Sequence, residues 1–302
     1  MSDPYAAHRA FIRPAMQTPE LWRVLVMVVA FEVVFTLSPS IFAMLLPTDA
    51  AVAAFYEGTS AFGTLAQFFA FGVALAGFLI LLSAIHGRGL WSLVGPVDAA
   101  KRDLIRVGTA VAIWLFVLEI LPPWINPGDL AEVRSLGVWA LLVPVALLAL
   151  LIQVGTEELV FRGYLQQQLA CFSQSRWLWM GVPSVLFGAV HFWNGHGAAQ
   201  GVIWAVWATV LGLSCADLTA RTGNLGAAIG LHLANNAFVL LIVGVQGWPS
   251  SGLALFLYPY EDPALYSQGI EALFTLGAAI QLVSLLLAAA IMWLAARIAL
   301  RR

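Results

Sequence analysis

Within an otherwise apolar chain, three short segments set acid, imidazole and amide side chains at helical spacing. The first reads Glu157-Glu158-Leu159-Val160-Phe161-Arg162-Gly163, the second Phe187-Gly188-Ala189-Val190-His191, and the third His232-Leu233-Ala234-Asn235-Asn236. On a helix Glu158 and Arg162 are i, i+4 neighbours with the acid N-terminal, the favourable order for an ion pair. Glu157 is rotated by about 100° from Glu158, so Arg162 can neutralise one carboxylate while the other faces a cavity. His232 and Asn236 lie one turn apart on one helix face. Proton transfer by a carboxylate or imidazole, and hydrogen-bond donation by an imidazole or amide, are the chemistry these types support. Each segment also has a structural reading: a solvated helix end for the Glu–Arg pair, interhelical hydrogen bonds for His191, His232 and Asn236. Ionisable groups inside apolar spans mark functional sites by default, and Glu32 and Glu119 fall in such spans as well.

The elements that must hold these residues are membrane helices. Hydrophobic residues make up 61% of the 302 and charged residues 10%, with a mean hydropathy of +0.89; soluble domains carry roughly 45–50% and about 25%. That composition excludes a soluble enzyme, a disordered chain and a secreted disulfide scaffold, the last also because Cys171 and Cys215 are the two cysteines. A net charge of -2 leaves no basic footprint for nucleic acid. Runs of about 20 apolar residues predict spans near 24–46, 61–86, 105–122, 137–160, 177–194, 200–217, 224–246 and 271–296. Turn chemistry separates them: Pro47-Thr48-Asp49, Gly87-Arg88-Gly89, Pro122-Pro123, Asn126-Pro127-Gly128-Asp129, Asn194-Gly195-His196-Gly197 and Thr222-Gly223-Asn224. The first run is too long for a signal-peptide core and reads as a retained span. The expected fold is all-α, a polytopic bundle of about eight transmembrane helices in one integral membrane domain over 1–302, with the active site inside the bundle.

Basic residues set the orientation. Arg9, Arg13 and Arg23 precede the first span, Arg88, Lys101, Arg102 and Arg106 fill the second connection, and Arg176 and Arg221 lie in the fourth and sixth. Arg297, Arg301 and Arg302 close the chain. Eight spans with both termini in the cytoplasm satisfy this pattern, in a multi-pass protein of the cell (inner) membrane. The stretch 247–270, rich in Pro, Tyr and Trp, reads as an interfacial or periplasmic loop. The fourth and fifth spans form a hairpin centred near Gln174, and Glu157 and His191 each lie 17 residues from it. They therefore sit at matching depth, provided the fourth helix runs on to about Leu169. Gly155, Gly163, Gly188, Gly195, Gly226 and Gly230 cluster nearby, where small residues let helices approach.

Taken in order, the patterns E-E-x-x-x-R, F-x-x-x-H and H-x-x-x-N resemble the three motifs of the CAAX protease and bacteriocin-processing family of intramembrane endopeptidases, which includes the type II CAAX prenyl endopeptidases. The resemblance covers 137–246, the expected catalytic core. It implies peptide-bond hydrolysis inside the membrane, with Glu157 and His191 activating a water and with His232 and Asn236 stabilising the oxyanion. Glu158, Arg162 and Phe187 would support the site. An imidazole and an amide on one helix face suit a developing oxyanion. Glu157, His191 and His232 also form a His₂Glu set of the kind that holds catalytic zinc with an open position. Asn236 is a poor zinc ligand and a good donor, which favours a site without cofactor over one with Zn²⁺. The implied partners are the lipid bilayer and a peptide or protein substrate, lipidated or membrane-embedded, such as a C-terminal CAAX-like tail.

Other membrane protease classes fit badly: there is no H-E-x-x-H, no pair of intramembrane Asp, and neither Ser184 nor Ser214 lies in G-x-S-G surroundings. A proton-coupled transporter using Glu32, Glu119, Glu157, His191 and His232 lacks the repeated halves such carriers show. A non-catalytic member of the same family, acting as a membrane scaffold or immunity protein, is the other alternative.

Overall fold

The computed structural model describes residues 3–121, 126–262 and 267–301; the Pro122-Pro123 break and Arg302 lie outside them. Helix covers most of each apolar run. A short α1 (Ala6–Phe11) precedes α2 (Leu21–Ala43), α3 (Asp49–Glu57), α4 (Ala61–His86), α5 (Trp91–Val94) and α6 (Val97–Glu119). Then come α7 (Leu136–Glu158), a π-helical segment over Leu159–Gln166, and α8 (Gln167–Phe172), which together form one unbroken rod. A second π-helical turn (Trp177–Gly181) leads into α9 (Val182–Val190), followed by α10 (Ala198–Thr222), α11 (Gly226–Leu241) and α12 (Leu276–Leu300). Local chemistry marks the ends. Thr48 and Ser60 cap α3 and α4 by accepting from the backbone N–H three residues on. Gly58, Gly87 and Gly223 close α3, α4 and α10 in the left-handed conformation.

Each of the eight apolar runs becomes helix, yet five helices have the length and hydropathy to cross a bilayer: α2, α4, the α7–α8 rod of 37 residues, α10 and α12. The other three differ for identifiable reasons. The first turns of α6 carry Asp98, Lys101, Arg102, Asp103 and Arg106. The segment Trp177–Val190 and α11 are about 21 and 24 Å long at 1.5 Å per residue, short of a hydrocarbon core about 30 Å thick. Longer neighbours enclose them: α11 packs on α6, α7 and α10, and α9 packs on α10.

Close helix approach rests on glycine where expected, with one exception. A Cβ at Gly230 would lie 2.6 Å from the Leu104 carbonyl and 2.9 Å from the Gly108 amide, so Gly230 lets α11 cross α6. Gly155 meets nothing within 4 Å and plays no such part. Two apolar clusters flank the site. One joins Val107, Val111, Leu211, Leu218, Leu231 and Met292, and the other joins Met27, Phe78, Leu82, Leu159, Tyr164 and Leu225.

Both chain ends gather at one end of the bundle. There Asp217 of α10 accepts from the Tyr5 hydroxyl (2.7 Å) and from Trp293 Nε1 of α12 (2.9 Å). The opposite end carries a small ribbon that the sequence reading did not include. Strand β1 (Glu132–Val133) runs antiparallel, and β2 (Val243–Val245) parallel, to the central β3 (Phe256–Tyr258). The stretch 247–270 is thus tied to the end of α11, while the membrane part of the fold is all-α.

Candidate active site

The rod α7–α8 delivers the first segment where its α-helix gives way to π-helix, a distortion frequent at functional sites. Glu158 is fully buried, and its Oε1 lies 2.9 Å from Arg162 Nη1. Arg162 is fully buried too, with Nε and Nη2 lacking any hydrogen-bond acceptor. Its guanidinium instead stacks on Phe187, Cζ 4.5 Å from the ring centroid. Gly212 of α10 makes room for it, since a Cβ there would stand 2.7 Å from Arg162 Nη2.

Phe187 is the hub of the α9 side. Its buried ring lies 4.3 Å from the His191 ring and meets the His232 ring edge-to-face at 5.6 Å. His191 Nδ1 sits 2.7 Å from the Phe187 carbonyl, which can only accept. The proton is therefore on Nδ1, and the Nε2 lone pair is free to take another. The resemblance grouped His232 with Asn236 as donors and Glu158 with Arg162 as support, and the structure adds a link between the two sets: His232 Nδ1 sits 2.9 Å from the same Glu158 oxygen that Arg162 holds. The reason is spatial: α11 crosses α7 directly above Glu158, and a buried carboxylate with one cation at its side has lone pairs left to fill. His232 then turns Nε2 toward Glu157, 3.6 Å from Oε2. That Glu157 oxygen is buried and has no hydrogen-bond partner.

One turn farther along, Asn236 Nδ2 donates to Gln153 Oε1 (3.1 Å) and Asn236 Oδ1 accepts from Asn235 Nδ2 (3.0 Å). Gln153 and Asn235 were not singled out from sequence. Gln153 stands four residues before Glu157, on the same face of α7, and that spacing was the available signal. The structure thus brings Glu157, Glu158, Arg162, Phe187, His191 and His232 together, with Asn236 beside them. Glu32 and Glu119 lie apart, Glu32 on the outer face of α2 and Glu119 at the end of α6 beside Phe238, Val239, Ile242 and Val243.

Among the described residues no three His, Cys, Asp or Glu side chains stand grouped as they would around a metal ion. What the site offers is an unpartnered carboxylate oxygen, a free imidazole nitrogen and an amide, all held by neighbours.

Residues 139–238 match the family model described as type II CAAX prenyl endopeptidase Rce1-like. Over 209 residues, 67% of each chain, the sequence is 28% identical to a Bacillus subtilis (strain 168) protein named "Uncharacterized protein YyaK". No solved structure matches the chain. The matched residues run from α7 into α11 and include every side chain of the site just described, so the likeness to the type II CAAX prenyl endopeptidase Rce1-like model falls on the site itself.

Proposed function

We propose that this protein is an intramembrane endopeptidase that hydrolyses a peptide bond with a water activated by Glu157 and His191. The observation that carries the reading is the Glu157 Oε2 atom: buried, without a hydrogen-bond partner, and 3.6 Å from His232 Nε2. A carboxylate oxygen in that state is a competent proton acceptor for a water between it and His191. The water attacks the scissile carbonyl carbon as its proton passes to Glu157. The oxyanion is met by the amide N–H of Asn236 that Gln153 does not use, and by the His232 ring, which Glu158 holds in place through Nδ1. Collapse of the tetrahedral intermediate breaks the C–N bond, and Glu157 returns its proton to the leaving amine.

No metal takes part in this scheme. The closing of His232 Nδ1 onto Glu158 and the holding of Asn236 by Gln153 both suit hydrogen-bond donation to oxygen. His232 lies about 9 Å along α11 from the end that carries both termini, and the basic residues assign that end to the cytoplasm. The substrate is accordingly a peptide tail entering from the cytoplasmic face, such as a lipidated C-terminal CAAX-like peptide, within the cell (inner) membrane. The experiment is to incubate the purified chain with quenched CAAX peptides, prenylated and not, beside a Glu157→Ala control and with strong chelator present or absent. Cleavage by the wild type in both chelator arms, and none by the control, is the expected result.

A further inference from the structure

We infer that α2 is a self-association surface through which a second copy of this chain pairs with the first inside the membrane. Helix α2 packs chiefly on α4. Its inner side buries Val24, Met27 and Ser38. Its outer side presents Leu25, Val29, Glu32, Thr36 and Ser40, all exposed and spaced by four, three, four and four residues, one continuous stripe of a helix. Glu32 is the twelfth of the 23 residues of this span. It therefore lies about 16 Å from either helix end, near the midplane of a core about 30 Å thick. A Glu side chain is too short to reach either membrane surface from there. Among the described residues no hydrogen bond or ion pair serves it, and an intramembrane carboxyl facing lipid alone is costly.

The occupant follows from depth and donor type. A copy in the same bilayer, related by a two-fold axis along the membrane normal, necessarily brings its own stripe to the same height. The hydroxyl of Thr36 of its mate then lies one turn, about 6 Å, along the axis from Glu32 and can donate to its carboxylate. The relation is reciprocal, so both carboxylates gain donors at once. Val29, Val33, Thr36 and Ser40 are β-branched or small, which permits the close helix approach that membrane interfaces use. A different membrane protein would need a donor of its own at this depth.

The test uses the full chain reconstituted in phosphatidylcholine vesicles at falling protein-to-lipid ratio, with energy transfer between donor- and acceptor-labelled copies. Wild type should associate, and Glu32→Leu with Thr36→Val should weaken association roughly ten-fold or more. Glu32→Gln, which keeps an acceptor, should retain much of it. In a background without Cys171 and Cys215, Val29→Cys should cross-link to itself, and Ile80→Cys on the outer face of α4 should not. A monomeric wild type, association unchanged in the double variant, cross-linking through Ile80→Cys instead, or association only with another protein overturns the proposal. None of these substitutions touches the site described above, so peptide cleavage reports folding independently.

Discussion

His232 Nδ1 and Glu158 Oε1 stand 2.9 Å apart in the buried centre of the bundle, and that oxygen also receives Arg162 Nη1 at 2.9 Å. Glu158 is thus the counter-ion of one group and the orienting partner of another.

Glu158→Gln should therefore cost both stability and turnover. It leaves a buried guanidinium uncompensated, a loss of about 3–5 kcal/mol in such settings, and frees His232 to rotate. The paired replacement Glu158→Leu with Arg162→Met removes both charges and should recover most of the stability but not the activity. Thermal unfolding in detergent, read beside cleavage rate, separates the two effects. A Glu158→Gln protein with unchanged melting temperature would remove Glu158 from the structural role.

Asn236→Ala should lower kcat by about 10² to 10³, the cost of one oxyanion donor, with KM nearly unchanged. Gln153→Leu removes the acceptor that holds the Asn236 amide and should lower kcat less, again without raising KM. Should either variant instead raise KM and spare kcat, Asn236 binds substrate in the ground state.

Gly212→Ala should perturb a site it does not belong to. Its added methyl would stand 2.7 Å from Arg162 Nη2 and 3.2 Å from the Ser184 Cβ, with no slack in a buried ion pair. Overpacking of this kind costs about 1–3 kcal/mol, visible as a lower melting temperature and a slower enzyme. Gly277→Ala, which meets nothing within 4 Å, is the neutral control.

At the end bearing both termini, His8 is buried, stacked on Trp179 with centroids 4.3 Å apart, and burial lowers its pKa from 6.5 to about 4. The undocked segment binds a proton at the higher value and the docked one at the lower. Docking of α1 is therefore fully supported above pH 6.5 and weakens as pH falls toward 4. Proteolysis of the N-terminal segment at graded pH should show this window, and His8→Phe should abolish it. Equal protection at pH 7 and pH 4.5 would contradict the assignment.

Much of this architecture was legible before any coordinates. Apolar runs broken by Pro, Gly and Asn marked the helices, because bilayer thickness fixes their length. Counting outward from Gln174 set Glu157 and His191 at one depth, and the structure sets Glu157 beside His232 and His191 beside Phe187, whose ring also meets that of His232. Other features had no local signature. A π-helical segment over Leu159–Gln166 keeps the same residue types as an α-helix, so periodicity cannot announce it. The bond between His232 and Glu158 depends on how α11 crosses α7, which is a tertiary fact. The same holds for the ribbon of β1, β2 and β3, whose strands of two or three residues are too short for alternation to register.

The central claim is that Glu157 is the base, and one substitution reaches it directly. Glu157→Gln keeps the shape of the side chain and removes its capacity to take a proton. With wild-type melting temperature as the control for folding, cleavage of the same peptide should fall by roughly 10² to 10⁴, the scale of lost general-base catalysis. A well-folded Glu157→Gln protein that cleaves at the wild-type rate would contradict the account.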